Sequence, residues 1–472
     1  MRRARVVSLD KSVLSVRTVG RAVTFASALA FGTVALSLDA QAAVTPEEAA
    51  ALGTTLTGVG AERAGNASGG IPDHAGRPLA PPAGYRPGDS RRIDPFVDEK
   101  PLRVLTGSNS GEAASQLTAG TRELLRRHAS FRVDVYPTHR TVAYPEYLIE
   151  NTRRNAAATR TTEGGLGLEN ARPGVPFPIP KDGSEVMWNH RLRFLGRAIT
   201  FKYDNWLVGP SGQRTLTGTA ESVEEYPALD AKQDRTLQEG EPWLKWKLEF
   251  SAPQRRAGEA TLLIDAVNPL RQARRVWSYV PGQRRIKLAE VPEDAPNGGS
   301  SGTYTNDDVF VYTGALDRFT LKLLGKREML VPYNTYRLSY HANVDEVLQP
   351  GHINPDLLRW ELHRVWVVEA TLKPGQRHVY GRRVFYVDED SWTALASDEY
   401  DLNGQLLRGV FAFLSYSYDA GVPYSDNHAA YDFGTGSYYM AYFAGPYFGV
   451  RYIEPLPSSQ WSPDAIAGAG LR

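Results

Sequence analysis

Leu357–Tyr416, LLRWELHRVWVVEATLKPGQRHVYGRRVFYVDEDSWTALASDEYDLNGQLLRGVFAFLSY, reads as four consecutive strands with a turn after each of the first three. Trp360, Leu362, Trp366, Val368, Ala370 and Leu372 alternate with Glu361, His363, Glu369 and Thr371, and only Arg364 interrupts the apolar series. A period of two over that length describes a strand with one face buried, so the polar set is expected to face outwards. The connectors Lys373–Gln376, Asp388–Asp390 and Leu402–Gln405 hold the proline, glycine and asparagine that tight reversals need. The stretch is therefore an antiparallel meander with one wide apolar face.

The alternation continues upstream. Ile199, Phe201 and Tyr203 begin a strand, Gly209-Pro210-Ser211-Gly212 reverses the chain, and Arg214–Val223 returns. Leu244, Trp246, Leu248 and Phe250 form the next strand and Thr261–Val267 another; Arg275–Leu288 is a hairpin around Val280-Pro281-Gly282-Gln283, and strands recur over Met329–His341. Helices are expected before them. Thr45-Pro46-Glu47-Glu48 carries an N-cap, a first-turn proline and a capping-box glutamate, and 112–128 and 146–161 are helical by composition. The Gly- and Pro-rich stretch 54–90 is expected to be an irregular arm. The fold class is α+β, mainly β, around one large antiparallel sheet.

The first 42 residues have another character. Six basic residues, Arg2 to Arg21, precede the apolar run Ala22–Leu38 and then Ala40-Gln41-Ala42, the order of a secretory signal peptide. Cleavage there removes six basic and two acidic residues and takes the formal charge from +1 to −3. That leaves no basic surplus for nucleic acid. The expected organisation is a signal peptide (1–42) and a single domain (43–472), with helices and arm over about 43–185 and the sheet over about 186–455. The mature chain is not expected to span a membrane, and no cysteine is available for disulfides, thiolate sites or lipoprotein-type acylation.

Chemical motifs are sparse. The nine histidines include no HExxH or close ligand pair, so neither a metal nor another cofactor is expected. Asp307-Asp308 and Asp388-Glu389-Asp390 read as acids at turns and strand ends. Pro180–His190 reads as a polar loop that could rim a ligand site. A hydrolase would draw on His190, Asp182, Glu185 or His363, but their spacing favours no acid–base pair, and the chain is not expected to be an enzyme. The nine tryptophans, spread through the strand region, suggest that a curved sheet encloses more apolar surface than its helices fill. The tail Tyr438–Phe443 is read as a last strand, with docking on a membrane partner as its alternative.

Several segments carry a family resemblance: Val44-Thr45-Pro46-Glu47-Glu48, Asp134–Arg140, Val175–Pro180, Val186–His190, Trp277–Arg285, Leu324–Met329 with Val331–Asn334, and Glu361–Ala370. With these the chain resembles the family of unknown function numbered 1329, grouped with LolA- and LolB-like lipoprotein carriers. The resemblance implies an open antiparallel half-barrel with helices over its concave face and an apolar interior. It also implies a periplasmic carrier for a hydrophobic or lipid-like ligand, assisting envelope trafficking or export beside an outer-membrane or exporter partner. On that reading the cavity is lined by Trp188, Phe201, Trp246, Phe250, Trp277, Trp360, Trp366 and Tyr386.

Overall fold

The computed structural model describes residues 44–230 and 235–469, so the expected signal peptide lies outside the described residues. The first strands are short: β1 (Arg103–Leu105), β2 (Val133–Val135) and the separate pair β3 (Arg160–Thr162) and β4 (Gly167–Glu169). A meander follows, β5 (Ala198–Val208), β6 (Arg214–Glu225), β7 (Pro242–Ala252), β8 (Ala260–Ala266), β9 (Arg275–Val280) and β10 (Arg285–Ala289). Next come β11 (Phe319–Pro332) and the pair β12 (Leu348–Gln349) and β13 (His352–Ile353). The second meander is β14 (Trp360–Leu372), β15 (Arg382–Asp388), β16 (Ala394–Tyr400), β17 (Leu406–Ser417), β18 (Val422–Asp432) and β19 (Tyr438–Phe443), and β20 (Arg451–Tyr452) ends the series. The helices are α1 (Pro46–Ala49), α2 (Ala119–Arg127), α3 (Glu146–Ala158), α4 (Gly183–Arg191), α5 (Val344–Val347) and α6 (Pro463–Ala469).

One sheet takes sixteen of these strands and does not close. Its order is β1-β2-β14-β15-β16-β17-β18-β19-β5-β6-β7-β8-β9-β10, with β11 also on β14 and β20 also on β5. The two meanders are fused where β19 pairs antiparallel with β5, Tyr438 opposite Val208 and Met440 opposite Trp206. The aromatic tail is thus a central strand. A single parallel pairing, Trp360 with Val135, attaches β2, so the region before residue 185 also contributes to the sheet.

Two large cores lie against this sheet. In the first, α4 presses Val186, Met187 and Trp188 against Val368, Ala370, Phe385 and Val410. Gly183 permits that approach, because a Cβ there would come within 3.0 Å of the Leu321 backbone and the Val368 side chain. Asp182 caps the helix by accepting from the Glu185 amide at 3.0 Å. The loop expected over 180–190 is therefore a buried helix; its Asp-x-x-Glu start is a helix-opening signal that the flanking prolines and glycine obscured. In the second core, α2 packs Leu124 and Leu125 with Phe411, Phe413 and Tyr431. Its first amides, Ala119 and Gly120, each donate to the buried Asp398 carboxylate at 2.7 Å.

Because both faces of the second meander are covered, the outward assignment of Glu361 and His363 is corrected. Both are buried, Glu361 completely, whereas Thr371 near the far end of the same strand is exposed. The apolar side of β14 is also divided: Val368 and Ala370 join the first core and Trp360 the second. Two further boundaries differ from expectation. β11 begins ten residues before Met329, its first half thick with lysine and leucine, and Arg337–His341 is a π-helical turn. β18, buried at every position although it carries Ser425, Asp426, Asn427 and His428, gave no alternating signal at all. The arm has no regular element beyond isolated bridges, yet it is tied down: Val59 O accepts from Trp392 Nε1 at 3.0 Å and Asn66 donates to Glu328 at 2.9 Å.

Candidate functional site

On the first meander, alternation sends one side of β5, β7, β8 and β9 into a cavity of about 210 Å³. β7 supplies Leu244, Trp246, Leu248 and Phe250, β8 supplies Thr261 and Leu263, and β9 supplies Val276 and Ser278. Tyr203 of β5 and Tyr442 of β19 form its inner wall, with Val309 from the loop before β11. Gly218 makes room for one wall: a Cβ there would lie 2.6 Å from the Phe250 ring. Arg256 caps that ring, its guanidinium carbon 3.4 Å from the centroid, and is itself held by Glu259 at 2.9 Å and Thr217 O at 3.0 Å. At the other end Arg274 is neutralised by Asp265 at 2.8 Å. The Trp246 indole nitrogen donates to Ser222 Oγ. Asn297 and Asn306, bonded to each other at 3.2 Å, and Thr313 also border the cavity, so a polar edge surrounds a surface that β7, β8, β9 and Tyr442 make chiefly aromatic and aliphatic.

Two other cavities lie beneath the arm, of about 290 Å³ and about 550 Å³. The first is edged by Arg63, His74, Glu146, Arg153 and Asp390, the second by Asp73, Arg77, His139 and Arg140. Their charged rims suit an arm seated on a body better than an apolar guest.

Of the eight residues expected to line one cavity, Trp246 and Phe250 do so. Phe201 stands behind the wall, its ring 5.2 Å from Tyr203. Trp188, Trp360 and Tyr386 are packed core, Trp188 bonded to Gly165 O at 2.8 Å and Tyr386 to Asp398 at 2.8 Å. Trp277 points to the opposite face of β9 and packs near Trp461 and Ile466. Trp366 is half-buried, stacked on Trp392 (6.3 Å, 11°) under the Lys326 ammonium. Sequence reasoning missed Tyr442, Leu263 and Val276 as lining residues. The period-two pattern of β8 and β9 already carried the last two, whereas Tyr442 required knowing that β19 lies beside β5.

Asp307-Asp308 and Asp388-Glu389-Asp390 do stand at a short 3-10 turn and at a strand end with its turn, yet they are buried in ion networks, as is Glu361 on the face of β14. Glu361 accepts from the His139 amide (2.7 Å), Asn334 (2.9 Å), Arg359 (2.5 Å) and His363 (3.2 Å). Asp390 takes Arg140 on both oxygens, and Glu389 takes Lys326 at 2.7 Å. Burial would lower the His363 pKa, but its bond to Glu361 and the nearby charge of Asp388 outweigh that and hold it above the ordinary histidine value. A second network joins Arg383 to Asp307 (2.7 Å), Asp308 (2.8 Å) and Glu399 (2.7 Å). One oxygen or nitrogen each from His363, Asp388 and Asp390 lies within 4.8 Å of the others, a spacing a cation could use. Arg140 already occupies both oxygens of Asp390, however, and Asp388 Oδ2 takes Ser391 and Tyr333, which leaves Asp388 Oδ1 as the one carboxylate oxygen of the group without a hydrogen-bond donor, 3.7 Å from His363 Nδ1. In the first core His190 donates through Nε2 to Tyr312 O at 3.1 Å and accepts at Nδ1 from the Ala394 amide at 3.0 Å, while Asp182 and Glu185 stand at the start of α4. They share no pocket with His363.

The family model described as "Protein of unknown function (DUF1329)" matches residues 104–467. The "Uncharacterized protein PA3922" of Pseudomonas aeruginosa is 39% identical over 413 residues, 86% of this chain and 90% of that protein. A putative outer membrane lipoprotein-sorting protein domain from Vibrio parahaemolyticus overlaps with a TM-score of 0.41 at 14% identity, covering 60% of this chain and 97% of that one. A DUF1329 family protein from Desulfovibrio piger overlaps with a TM-score of 0.39 at 15% identity, over 58% and 92% of the two chains. A LolA superfamily protein from Nitrosomonas europaea gives 0.35 at 12% identity, over 61% and 100%. These structural overlaps are partial, while the family match and the Pseudomonas relative each span most of the chain. The chain belongs to the DUF1329 family.

Proposed function

We propose that the protein binds or carries a lipid-like or other hydrophobic ligand, whose apolar part lies in the cavity between Trp246, Phe250 and Tyr442. The observation that carries this reading is the chemistry of that hollow: about 210 Å³, walled chiefly by aromatic and aliphatic side chains, with a few asparagine and hydroxyl groups at its edge and with Arg256 and Arg274 each paired to an acid. An apolar cavity of about 150 Å³ is enough to hold benzene, so this one accommodates a ring or a short stretch of acyl chain, with the remainder of a longer ligand outside. Each methylene buried contributes roughly 0.8 kcal/mol, and half a dozen reach about 5 kcal/mol before ordering costs. The leader-like first 42 residues support action in the periplasm. The family resemblance supports envelope trafficking or export beside an outer-membrane or exporter partner. Among the described residues no helix is long and apolar enough to cross a membrane.

The test is extraction of the purified protein with organic solvent and mass spectrometry of the extract, in parallel with Trp246→Ala. A lipid-like species should come from the wild type and fall several-fold in the variant. No lipid from the wild type, together with no uptake of a fluorescent fatty acid, contradicts the proposal.

A further inference from the structure

Beside the cavity's inner wall, the loop between β10 and β11 drives Phe310 into the first core. Phe310 (φ 53°) and Val311 (φ 69°) are consecutive left-handed residues without a glycine, and a β-branched residue there is strained. The Phe310 ring stacks on Tyr442 (5.9 Å, 9°), meets His428 (5.2 Å) and Tyr424 (6.4 Å) edge-on, and lies 6.3 Å from Trp246. The Arg193 guanidinium carbon is 5.3 Å from its centroid. Trp246 and Tyr442 also line the cavity, so this cage and the cavity share a wall.

The cage is polar in an unusual way. Both ring nitrogens of His428, the Tyr424 hydroxyl and Arg193 Nε are buried without a hydrogen-bond partner. Arg193 donates through Nη1 to His190 O at 2.7 Å, and the acid whose charge it feels, Glu224, is bonded instead to the Tyr226 hydroxyl. A buried guanidinium without its own carboxylate is costly, and so are unmet donors around it. Desolvation accordingly lowers the Arg193 pKa. A phenyl ring satisfies none of these groups by hydrogen bonding; it fills the space between them.

We propose that the cage is the headgroup subsite of the cavity, that Phe310 is a resident plug in it, and that it receives the carboxylate of a long-chain fatty acid. This rests on the hydrophobic-ligand reading of the cavity. When Phe310 withdraws, the carboxylate accepts from Arg193 Nε and the Tyr424 hydroxyl, and the chain runs out over Trp246, Leu248 and Leu263. A monoanion matches one unpaired guanidinium beside a neutral imidazole, whereas a dianionic phosphate would leave charge uncompensated near Glu224.

Calorimetric titration of the full chain with dodecanoate, dodecanol and dodecyl phosphate tests this, with circular dichroism to verify folding. The wild type should prefer dodecanoate to dodecanol by roughly tenfold or more, the effect of a charge-assisted hydrogen bond. Phe310→Ala, or Phe310→Leu if alanine does not fold, should bind dodecanoate more tightly than wild type. Arg193→Met should erase the acid-over-alcohol preference and keep dodecanol binding. Equal affinity for acid and alcohol in both wild type and the Phe310 variant, or a preference that survives Arg193→Met, overturns the subsite and leaves the cavity reading intact. Dodecyl phosphate binding more tightly than dodecanoate overturns the carboxylate assignment. Binding of none of the three by any variant removes the cavity reading, and the subsite with it.

Discussion

The two meanders of the sheet present the same kind of sequence to two different surroundings. In β7, Leu244, Trp246, Leu248 and Phe250 alternate with Lys245, Lys247 and Glu249; the apolar set turns to the cavity and the charged set remains partly in solvent. In β14, Trp360, Leu362, Trp366 and Val368 alternate with Glu361, His363, Val365 and Val367, yet Glu361 and His363 are as buried as the valines. A polar residue at every second position therefore marks a solvent face only where nothing else covers that face. Where the segment around His139 and the Asn334 side chain cover it, Glu361 pairs with Arg359, and the acids at the end of β15, Asp390 and Glu389, pair with Arg140 and Lys326. One meander keeps room for a guest, and the other is filled with its own charges.

The difference is open to mutational attack. Glu361→Ala should cost the most, roughly 3–5 kcal/mol in denaturant unfolding, since it removes the carboxylate from His363, Asn334 and the His139 amide and leaves Arg359 only Glu99 as an acid partner. A loss under about 1 kcal/mol would return that face of β14 to solvent. Next comes pH. His428 is buried among aromatic rings, where desolvation, helped by the Arg193 charge, takes its pKa down to about 3. The folded form then stays neutral while the unfolded chain protonates near 6.5, so this stabilisation is present above about pH 6.5 and is lost as pH falls towards 3. Over that window wild type should lose about 1.4 kcal/mol per pH unit more than His428→Phe; parallel stability curves would contradict it. Trp366→Ala should cost about 2 kcal/mol, the value of one stacking contact and one cation–π contact, rather than that of a sealed core tryptophan. Trp246→Ala should weaken fatty-acid binding by about tenfold in a fluorescence titration, with the unfolding midpoint moving less than for Glu361→Ala. Thr371→Ala, at an exposed position, should change stability by no more than about 0.5 kcal/mol.

What was legible follows the same division. Apart from β18, the strands and turns of both meanders were readable because alternation and turn chemistry are local, and so was the capping box of α1, where the Thr45 hydroxyl accepts from the Glu48 amide at 3.2 Å and Glu48 accepts from the Thr45 amide at 2.8 Å. Trp246 and Phe250 were readable as inward-facing for the same reason. The pairing partners of Glu361 and of Asp388–Asp390 were not, because Arg140 and Asn334 are brought to them only by the fold. α4 was hidden by the proline-rich stretch before it and by a sequence, from Val186 to Arg191, that shows little amphipathic contrast because those side chains are all buried. Phe310 could not be singled out at all, since its cage draws on β7, β18, β19 and the segment after α4.

The central claim is that the guest lies on the first meander and not the second. Photo-crosslinking with a diazirine-bearing fatty acid, followed by peptide mapping, measures this directly. The label is predicted on the peptides of β7 and β8, Leu244–Leu263, and around Tyr442 at the seam between the meanders. Label confined to β14–β17 or to the arm, or scattered over the surface without competition by unlabelled fatty acid, would contradict the account.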